Sequence, residues 1–273
     1  MPTNCWPGWT RTLLADMELK IIISPAKKMR TDPDGLAWQQ LPEFLPQAKE
    51  LAARLQAMDP AALQRLWKCN DAIAAQNQQR LARMDLERGL TPAILAYEGI
   101  QYRYMAPEVF TQEQLDYIQQ HLRILSGLYG VLRPLDGVQP YRLEMQAKLA
   151  GENFRDLYGF WGQRLAASLC READCILNLA SKEYSLAVSR HLPENVRLVN
   201  CLFAEEKEGR LVEKGTLCKM ARGEMVRYMA ENQITDPARL SGFDRLGFRF
   251  APEHSQPERL VFVRQPSQSP AQS

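Results

Sequence analysis

The chain has 273 residues, of which 45% are hydrophobic and 24% are charged, a composition typical of a globular protein with one or two domains. Its formal net charge of +2 excludes nucleic-acid binding driven by bulk charge, so any basic surface must come from segregated charges. No apolar run reaches the roughly 18 residues of a membrane span, and the six cysteines form no C-x-x-C pair, so we expect a soluble cytoplasmic protein with reduced thiols and no membrane association.

Both ends of the chain are predicted to lie outside the folded domain. Residues 1–16 lack the pattern of a secretory signal and Met17 offers an alternative start, so we interpret 1–16 as a non-structural extension. The alternative is that the two tryptophans of this segment pack on the body. The tail, residues 265–273, is rich in Pro, Ser and Gln and is predicted to be disordered. A single domain over 17–264 remains.

The first predicted element is a strand over residues 18–23. It ends at Ser24-Pro25, because proline forces the chain to turn, and it places Lys27 and Lys28 just beyond the strand end. Ligands often bind at strand ends in mixed sheets, so we expect Lys27, more than Lys28, to contact a phosphate. The alternative is that one of the two lysines simply pairs with a surface carboxylate.

Helices are predicted next. Residues 43–88 carry leucine and isoleucine at helical spacing, with breaks near Pro60 and Asn70. A second strand is predicted over residues 93–97. Thr111, with a glutamine three residues later, has the signature of a capping box, and the apolar pattern then predicts a helix that continues to Leu125.

The segment from His121 to Met145 holds three glycines, two prolines and three arginines in an apolar frame. Glycine and proline fix the backbone, while Arg123, Arg133 and Arg142 carry planar guanidinium groups that suit phosphate or carboxylate oxygens. The segment therefore predicts anion binding. For Arg133 the alternative is an internal ion pair with Asp136 that rigidifies the turn.

The tyrosines of this segment, Tyr129 and Tyr141, have two interpretations. Each ring could stack on a base, but a partly buried tyrosine with a bonded hydroxyl is the more common case. The neighbouring leucines are predicted to belong to the core.

Polar residues follow the strand predicted over residues 175–180, after a helix capped by Asp156. This is a position where open sheets place groups that contact ligands. A polar cap on the next helix explains Ser181 equally well. The residues concerned are Asn178, Ser181, Lys182, Glu183 and Tyr184.

The last third is predicted to contain strands over 196–203 and 211–212, a helix over 219–233, and a closing hairpin of residues 248–250 with 260–263. In that helix Lys219 and Arg222 lie about 60° apart, and Gly223 on the same sector would let another backbone approach. The alternative is a solvated helix face. Strands and helices alternate irregularly, which predicts a mixed α/β (α+β) fold, a single compact domain with a mixed sheet flanked by helices.

Several motifs along the chain, taken together, resemble one family. They are I-I-S-P-A-K at 22–27, L-S-G-L-Y-G-V-L-R-P-L-D at 125–136, P-Y-R-L-E-M at 140–145, L-Y-G-F-W-G at 157–162, N-L-A-S-K-E-Y at 178–184, A-R-G at 221–223 and E-N at 231–232. In order and density these motifs resemble the peroxide stress protein YaaA family over residues 17 to about 264.

The resemblance implies a bacterial cytosolic protein of the hydrogen-peroxide response that lowers available iron and has an unusual fold able to bind DNA. It also implies a basic cleft and a helix-hairpin-helix element, which we place at Ser126, Gly127 and Gly130. The chain departs from the family pattern in two places. Its hairpin glycines are three apart rather than two, and Lys219-Met220 stands where the family commonly has two lysines.

The leading hypothesis is a non-enzymatic protein that binds DNA through phosphate contacts with little sequence preference, with no catalytic residue, cofactor or structural metal. Its basic cleft would be formed by Lys27, Lys28, Arg133, Arg142, Lys182, Lys219 and Arg222.

The rival hypothesis is an enzyme that acts on a nucleotide-like or phosphorylated small molecule in the same cleft, with Glu183 or Glu144 transferring a proton. The additional pocket residues would be Tyr129, Asp136, Glu144, Asn178, Ser181, Glu183 and Tyr184. A third hypothesis is direct iron sequestration, which is disfavoured because the three histidines lie at no metal-ligand spacing.

Overall fold

A computed structural model describes residues 18–32 and 35–264, so the two predicted terminal segments lie outside the described residues. Its strands are β1 (Leu19–Ile23), β2 (Lys28–Met29), β3 (Thr91–Pro92), β4 (Tyr97–Glu98), β5 (Leu122–Ser126), β6 (Gly130–Leu132), β7 (Gly137–Val138), β8 (Cys175–Asn178), β9 (Arg197–Lys207), β10 (Arg210–Val212), β11 (Phe248–Phe250) and β12 (Arg259–Arg264). Its α-helices are α1 (Leu45–Gln56), α2 (Pro60–Trp67), α3 (Asp71–Ala82), α4 (Ala93–Ala96), α5 (Ile100–Met105), α6 (Gln112–His121), α7 (Leu157–Trp161), α8 (Arg164–Cys170), α9 (Lys182–Ser189) and α10 (Gly215–Glu231).

The main sheet confirms the predicted fold class. Its strand order is β11-β12-β9-β8-β1-β5-β6, with β10 paired to β9. The five strands β5, β1, β8, β9 and β12 pair in parallel, whereas β6, β10 and β11 are antiparallel to their neighbours. Helices flank this mixed sheet in one compact domain. Strand β1 is buried along its whole length, as expected for a central parallel strand.

Several helices begin where the sequence provides a cap. Asp59, Asn70, Thr111 and Asp156 each accept a hydrogen bond from the backbone amide three residues later. The side chain of Gln114 also accepts from the Thr111 amide, so the capping box at α6 is confirmed. The breaks predicted near Pro60 and Asn70 are the starts of α2 and α3.

The helix predicted to continue to Leu125 is shorter than expected. Helix α6 ends at His121, and residues 122–126 form β5, which is fully buried and pairs with β1. A five-residue apolar run does not distinguish helix from strand by its period. Burial between β1 and β6 decides the outcome here.

The helix-hairpin-helix element placed at Ser126, Gly127 and Gly130 is therefore wrong. Ser126 pairs with Gly130 across an antiparallel hairpin, so strands and not helices flank this turn. Gly130 has φ of +75°, which favours glycine, and a Cβ on Gly127 would lie 2.3 Å from the Leu143 carbonyl oxygen. All three residues are buried, so their amides do not face solvent where a phosphate would bind.

Two further elements differ from expectation. Residues 93–97 form helix α4 and only the first residue of β4, because the amides of Ala93 and Ile94 bond to the carbonyls of Asp136 and Pro134 instead of a strand partner. The helix after Asp156 is divided into α7 and α8 at Gly162, whose φ is +50°. The closing hairpin of β11 and β12 is confirmed, and β12 also pairs with β9.

No helix in the described ranges is long and apolar enough to cross a membrane. The five cysteines of the described residues are free thiols, of which Cys175, Cys201 and Cys218 are buried. Burial raises the pKa of the Cys175 thiol to about 12. The three buried cysteines are therefore held as neutral thiols inside the fold.

Candidate functional site

The candidate site lies at the carboxyl ends of β1 and β8. The parallel register pairs Ile22 with Asn178, so the chain leaves both strands at the same edge of the sheet. Ser24 follows β1, and Ser181 precedes α9. The Ser24 hydroxyl accepts a hydrogen bond of 2.8 Å from the Ser181 amide and donates one of 3.2 Å to the Ser181 hydroxyl. We call this pair the serine corner.

An ion-pair group lies in the same pocket. The Lys27 Nζ is 2.9 Å from one oxygen of Glu144, and the other oxygen is 3.6 Å from Arg142 Nη2. The Lys27 side chain is 65% exposed, whereas that of Arg142 is only 11% exposed. Glu144 therefore links a solvated cation at the pocket mouth to a buried cation in its wall.

A second carboxylate, Glu183, lies close to Glu144. One of its oxygens accepts a hydrogen bond of 3.2 Å from the Gln146 amide. Burial is the largest influence on Glu183 and raises the pKa of its carboxyl above the usual value, and the negative charge of Glu144 acts in the same direction. The hydrogen bond and Lys27 oppose this shift. A carboxyl with a raised pKa can hold or release a proton nearer neutral pH.

Helices α5 and α10 complete the pocket through a close contact at Gly223. A Cβ on Gly223 would lie 2.1 Å from the Gln101 carbonyl oxygen and 2.9 Å from the Met105 amide nitrogen. The predicted approach of another backbone to this sector of α10 is thus confirmed, and that backbone belongs to α5. The contact brings Gln101 into the same pocket wall as Lys219 and Arg222.

Three tyrosines line the pocket with uncharged aromatic surface. Tyr102 donates a hydrogen bond to the Ser24 carbonyl oxygen, and the Tyr141 hydroxyl bonds to those of Ser126 and Tyr97 at 2.6 and 2.9 Å. Burial raises the pKa of Tyr141 to about 12 and that of Tyr184 well above its usual value. The rings therefore supply apolar and neutral hydrogen-bonding surface to a pocket of about 400 Å³.

The pocket wall holds buried donors without acceptors. Gln101 Nε2, Arg142 Nε and Arg222 Nε are inaccessible to solvent and have no hydrogen-bond partner among the described residues. All three side chains line this one pocket. Buried donors are normally satisfied, because an unsatisfied one costs about 1–3 kcal/mol. An acceptor-rich molecule whose binding shifts these side chains towards the pocket would satisfy them.

The charge of the pocket is positive. Among the described residues, five cationic side chains line it against three carboxylates, Glu98, Glu144 and Glu183. Lys28 pairs with Glu98 at 3.0 Å and is 78% exposed, so it lies at the mouth. The cationic residues are Lys27, Lys28, Arg142, Lys219 and Arg222. Lys182 is exposed at the start of α9, between two residues that line the pocket.

Arg133 lies elsewhere. Its guanidinium is 2.5 Å from Glu172, which also pairs with the buried Arg123. In place of the alternative, an ion pair between the side chains of Arg133 and Asp136, the Arg133 amide donates a hydrogen bond of 2.8 Å to the Asp136 carboxylate. Asp136 is buried, and burial raises its pKa to about 6. A separate shallow surface contains Arg133 together with Lys20 at the start of β1.

Two more of the predicted pocket residues have structural partners. The Tyr129 side chain is buried and its hydroxyl accepts from the Gln139 amide, which is the commoner of the two interpretations. Asn178 donates to Asn200 and accepts from the Ala180 amide, so it joins β8 to β9. Neither residue lines the pocket.

Sequence reasoning missed Ser24, Gln101 and Tyr102. Ser24 is visible in the motif I-I-S-P-A-K, where it is the last residue before the turn. Gln101 and Tyr102 belong to the six-residue helix α5, which is too short to show a period. Their position depends on the contact with α10, which joins segments more than one hundred residues apart.

Comparisons with known proteins agree on one family. The family model described as peroxide stress protein YaaA matches residues 19–254. A UPF0246 protein of Lachnoclostridium phytofermentans is 51% identical over 246 residues, which are 90% of this chain and 96% of that protein. UPF0246 proteins of Desulfitobacterium hafniense and Pediococcus pentosaceus are 50% and 47% identical over the same length, each with 90% of this chain and 98% of the relative covered.

Proposed function

The chain belongs to the peroxide stress protein YaaA family, and we propose that it serves the response to hydrogen peroxide by binding a phosphorylated, nucleotide-like small molecule in the pocket between the serine corner and α10. The observation that carries this proposal is the set of buried donors on Gln101, Arg142 and Arg222. Phosphate oxygens are strong acceptors that pair well with arginine.

The shape and walls of the pocket support the same ligand class. Its volume of about 400 Å³ lies in the range typical of small-molecule sites. Tyr102, Tyr141 and Tyr184 provide aromatic surface of the kind that stacks against a planar base. A molecule with one planar ring and one anionic group would use both the tyrosines and the cations.

Glu183 is the better placed of the two carboxylates for proton transfer. Its pKa is raised by burial, whereas Glu144 is occupied by two cations, Lys27 and Arg142. If the ligand is transformed in this pocket, we propose Glu183 as the general acid or base.

Calorimetric titration of the purified chain with AMP, ADP and inorganic phosphate tests the binding proposal. We expect saturable binding that weakens about tenfold or more in Arg222→Gln, because one charge-assisted contact is lost. Arg227→Gln is the matched control, since Arg227 is a partly buried arginine on the same helix whose guanidinium pairs with Glu231. Equal affinity in both variants, or no binding in the wild type, would contradict the proposal.

We also propose that the exposed lysines around the pocket mouth bind DNA without sequence preference. The supporting observation is that Lys27, Lys28, Lys182 and Lys219 are all exposed and come from three separate parts of the chain at one edge of the domain. Lysines of this kind would contact backbone phosphates as point charges. Arg133 lies on a different surface and Arg142 is largely buried, so neither is needed for this contact.

Fluorescence anisotropy with a random-sequence duplex over a salt series tests DNA binding. We expect the slope of log affinity against log salt to shrink by about 0.9 per lost phosphate contact, hence by almost two in Lys182→Gln/Lys219→Gln. The control Lys49→Gln/Lys207→Gln removes two exposed lysines elsewhere. An unchanged slope in the first variant, or equal losses in both, would count against the proposal.

The lowering of available iron and the cytoplasmic location remain predictions from the family. We propose that any effect on iron is indirect, because the sequence holds three histidines and none lies at metal-ligand spacing with another histidine or cysteine. Stoichiometric, tight iron binding in a titration monitored by metal analysis would contradict this.

A further inference from the structure

Helix α9 begins after a serine that does not cap it. Ser181 occupies the N-cap position, but its hydroxyl makes no hydrogen bond to an amide of the helix. It accepts instead from the Ser24 hydroxyl across the serine corner. The helices that begin after Asp59, Asn70, Thr111 and Asp156 all have their caps bonded in the usual way. The first turn of α9 is thus left without its side-chain acceptor.

The amides at this helix start are available as donors. Those of Lys182 and Glu183 have no hydrogen-bond partner among the described residues, while the Tyr184 and Ser185 amides bond to the Ser181 carbonyl. The N-terminus of a helix carries partial positive charge and favours phosphate. Ser181 and Glu183, the neighbours of Lys182 in the chain, both line the pocket. The amides of Lys182 and Glu183 therefore lie at the pocket wall.

A second, independent observation points to a hydrogen-bond acceptor in the same pocket. Gln101 is only 6% exposed. Its Nε2 and the Nε of Arg142 have no acceptor among the described residues, although both side chains line the pocket. Arg142 belongs to the ion-pair group of Lys27 and Glu144. The amide of Gln146, two residues after Glu144, donates to the carboxylate of Glu183 in the first turn of α9, so this group lies beside the helix start.

On the basis of the proposed function, we propose that the ligand's phosphate binds at the N-terminus of α9, against Ser181 and Lys27. The phosphate displaces the Glu144 carboxylate from Lys27 and Arg142. One carboxylate oxygen of Glu144 contacts Lys27 and the other faces Arg142. Two oxygens of a ligand phosphate would contact the same two side chains in the same way. The carboxylate of Glu144 therefore competes with the ligand.

This assignment predicts opposite effects for two substitutions. Ser181→Ala removes a hydroxyl that would donate to the phosphate, so AMP affinity should fall about five- to tenfold. Glu144→Gln removes the competing charge, so AMP affinity should rise about five- to tenfold. Adenosine, which has no phosphate, should bind both variants as it binds the wild type.

The experiment is a calorimetric titration of AMP and adenosine into the wild type, Ser181→Ala, Glu144→Gln and Ser189→Ala. Ser189 is at the other end of α9 and serves as the matched control. Thermal melts verify that each variant is folded, and Glu144→Gln tests the assignment independently of any folding defect in Ser181→Ala. The assignment is overturned if Ser181→Ala weakens adenosine as much as AMP, or if Glu144→Gln weakens AMP.

The two proposals fail in distinguishable ways. If AMP, adenosine and inorganic phosphate all fail to bind the wild type, the small-molecule function is refuted and this assignment with it. If AMP binds with Arg222-dependent affinity but neither Ser181→Ala nor Glu144→Gln changes that affinity, the pocket is retained and the phosphate lies elsewhere in it.

Discussion

Gly223→Ala tests whether the pocket depends on the contact between α5 and α10. The added Cβ would lie 2.1 Å from the Gln101 carbonyl oxygen and 2.9 Å from the Met105 amide nitrogen. Carbon atoms in good contact are about 3.5–4.0 Å from their neighbours, so the two helices must separate by roughly 1 Å or more. Both clashing groups are backbone atoms and no rotamer change relieves them.

The cost follows from that geometry. Overpacking a well-packed core costs about 1–3 kcal/mol, and a clash with backbone belongs at the upper end, so we expect Gly223→Ala to lower the free energy of unfolding by about 3 kcal/mol. For a chain of this size that corresponds to a decrease in Tm of about 6–12 °C. Separation of α5 from α10 also moves Gln101 away from Arg222, so ligand affinity should fall in the variant that still folds.

Gly215→Ala is the matched control on the same helix. A Cβ at Gly215, the first residue of α10, meets no atom of the described residues within 4 Å, so alanine should be neutral or stabilise the protein by up to about 1 kcal/mol. Urea denaturation and thermal melts of both variants measure the difference. If the free energies of unfolding of Gly223→Ala and Gly215→Ala differ by less than about 1 kcal/mol, the prediction from close backbone approach is refuted.

Three further predictions concern stability and charge. Glu172→Gln should lower the free energy of unfolding, measured by urea denaturation, by about 3–5 kcal/mol, because it leaves the buried Arg123 without its carboxylate. The control Glu87→Gln, in an exposed pair, should lower it by under about 1 kcal/mol, and similar losses in the two variants would refute the prediction. Thr111→Ala should cost about 1 kcal/mol through loss of the capping box, measured by the same method, and no change would contradict the cap's role. Burial raises the pKa of Asp136 to about 6, so its contribution to stability is present below the unfolded value near 3.9 and is lost as pH rises through 6; a carboxyl NMR titration centred near 4 would refute it.

Local signals in the sequence predicted the parts of the fold that local chemistry determines. The capping box at Thr111 and the cap at Asp156 gave helix starts because their hydrogen bonds involve only nearby residues. Gly223 indicated a close helix contact because only glycine leaves room for a backbone. The sequence indicated one residue of the serine corner, Ser181, because it follows a predicted strand. It did not indicate Ser24, which was noted only as the residue before a proline.

The position of Arg133 could not be predicted from the sequence, because it depends on the direction in which β6 runs. Strand β5 runs towards the edge of the sheet that holds the pocket, and β6 returns antiparallel to it. Arg133 follows β6 and is therefore carried back to the amino end of β1, where it shares Glu172 with Arg123 at the start of β5. Reading residues 122–125 as helix concealed this reversal and assigned Arg133 to the wrong edge.

The position of β12 in the sheet bears on how the protein matures in the cell. Strand β9 emerges from the ribosome before β12, and until β12 arrives one edge of β9 has backbone groups without their final partner. An open strand edge is a template for pairing with other chains. Nascent chains should therefore be most prone to aggregate during this interval, and chaperone dependence should decline once residues 259–264 have paired with β9.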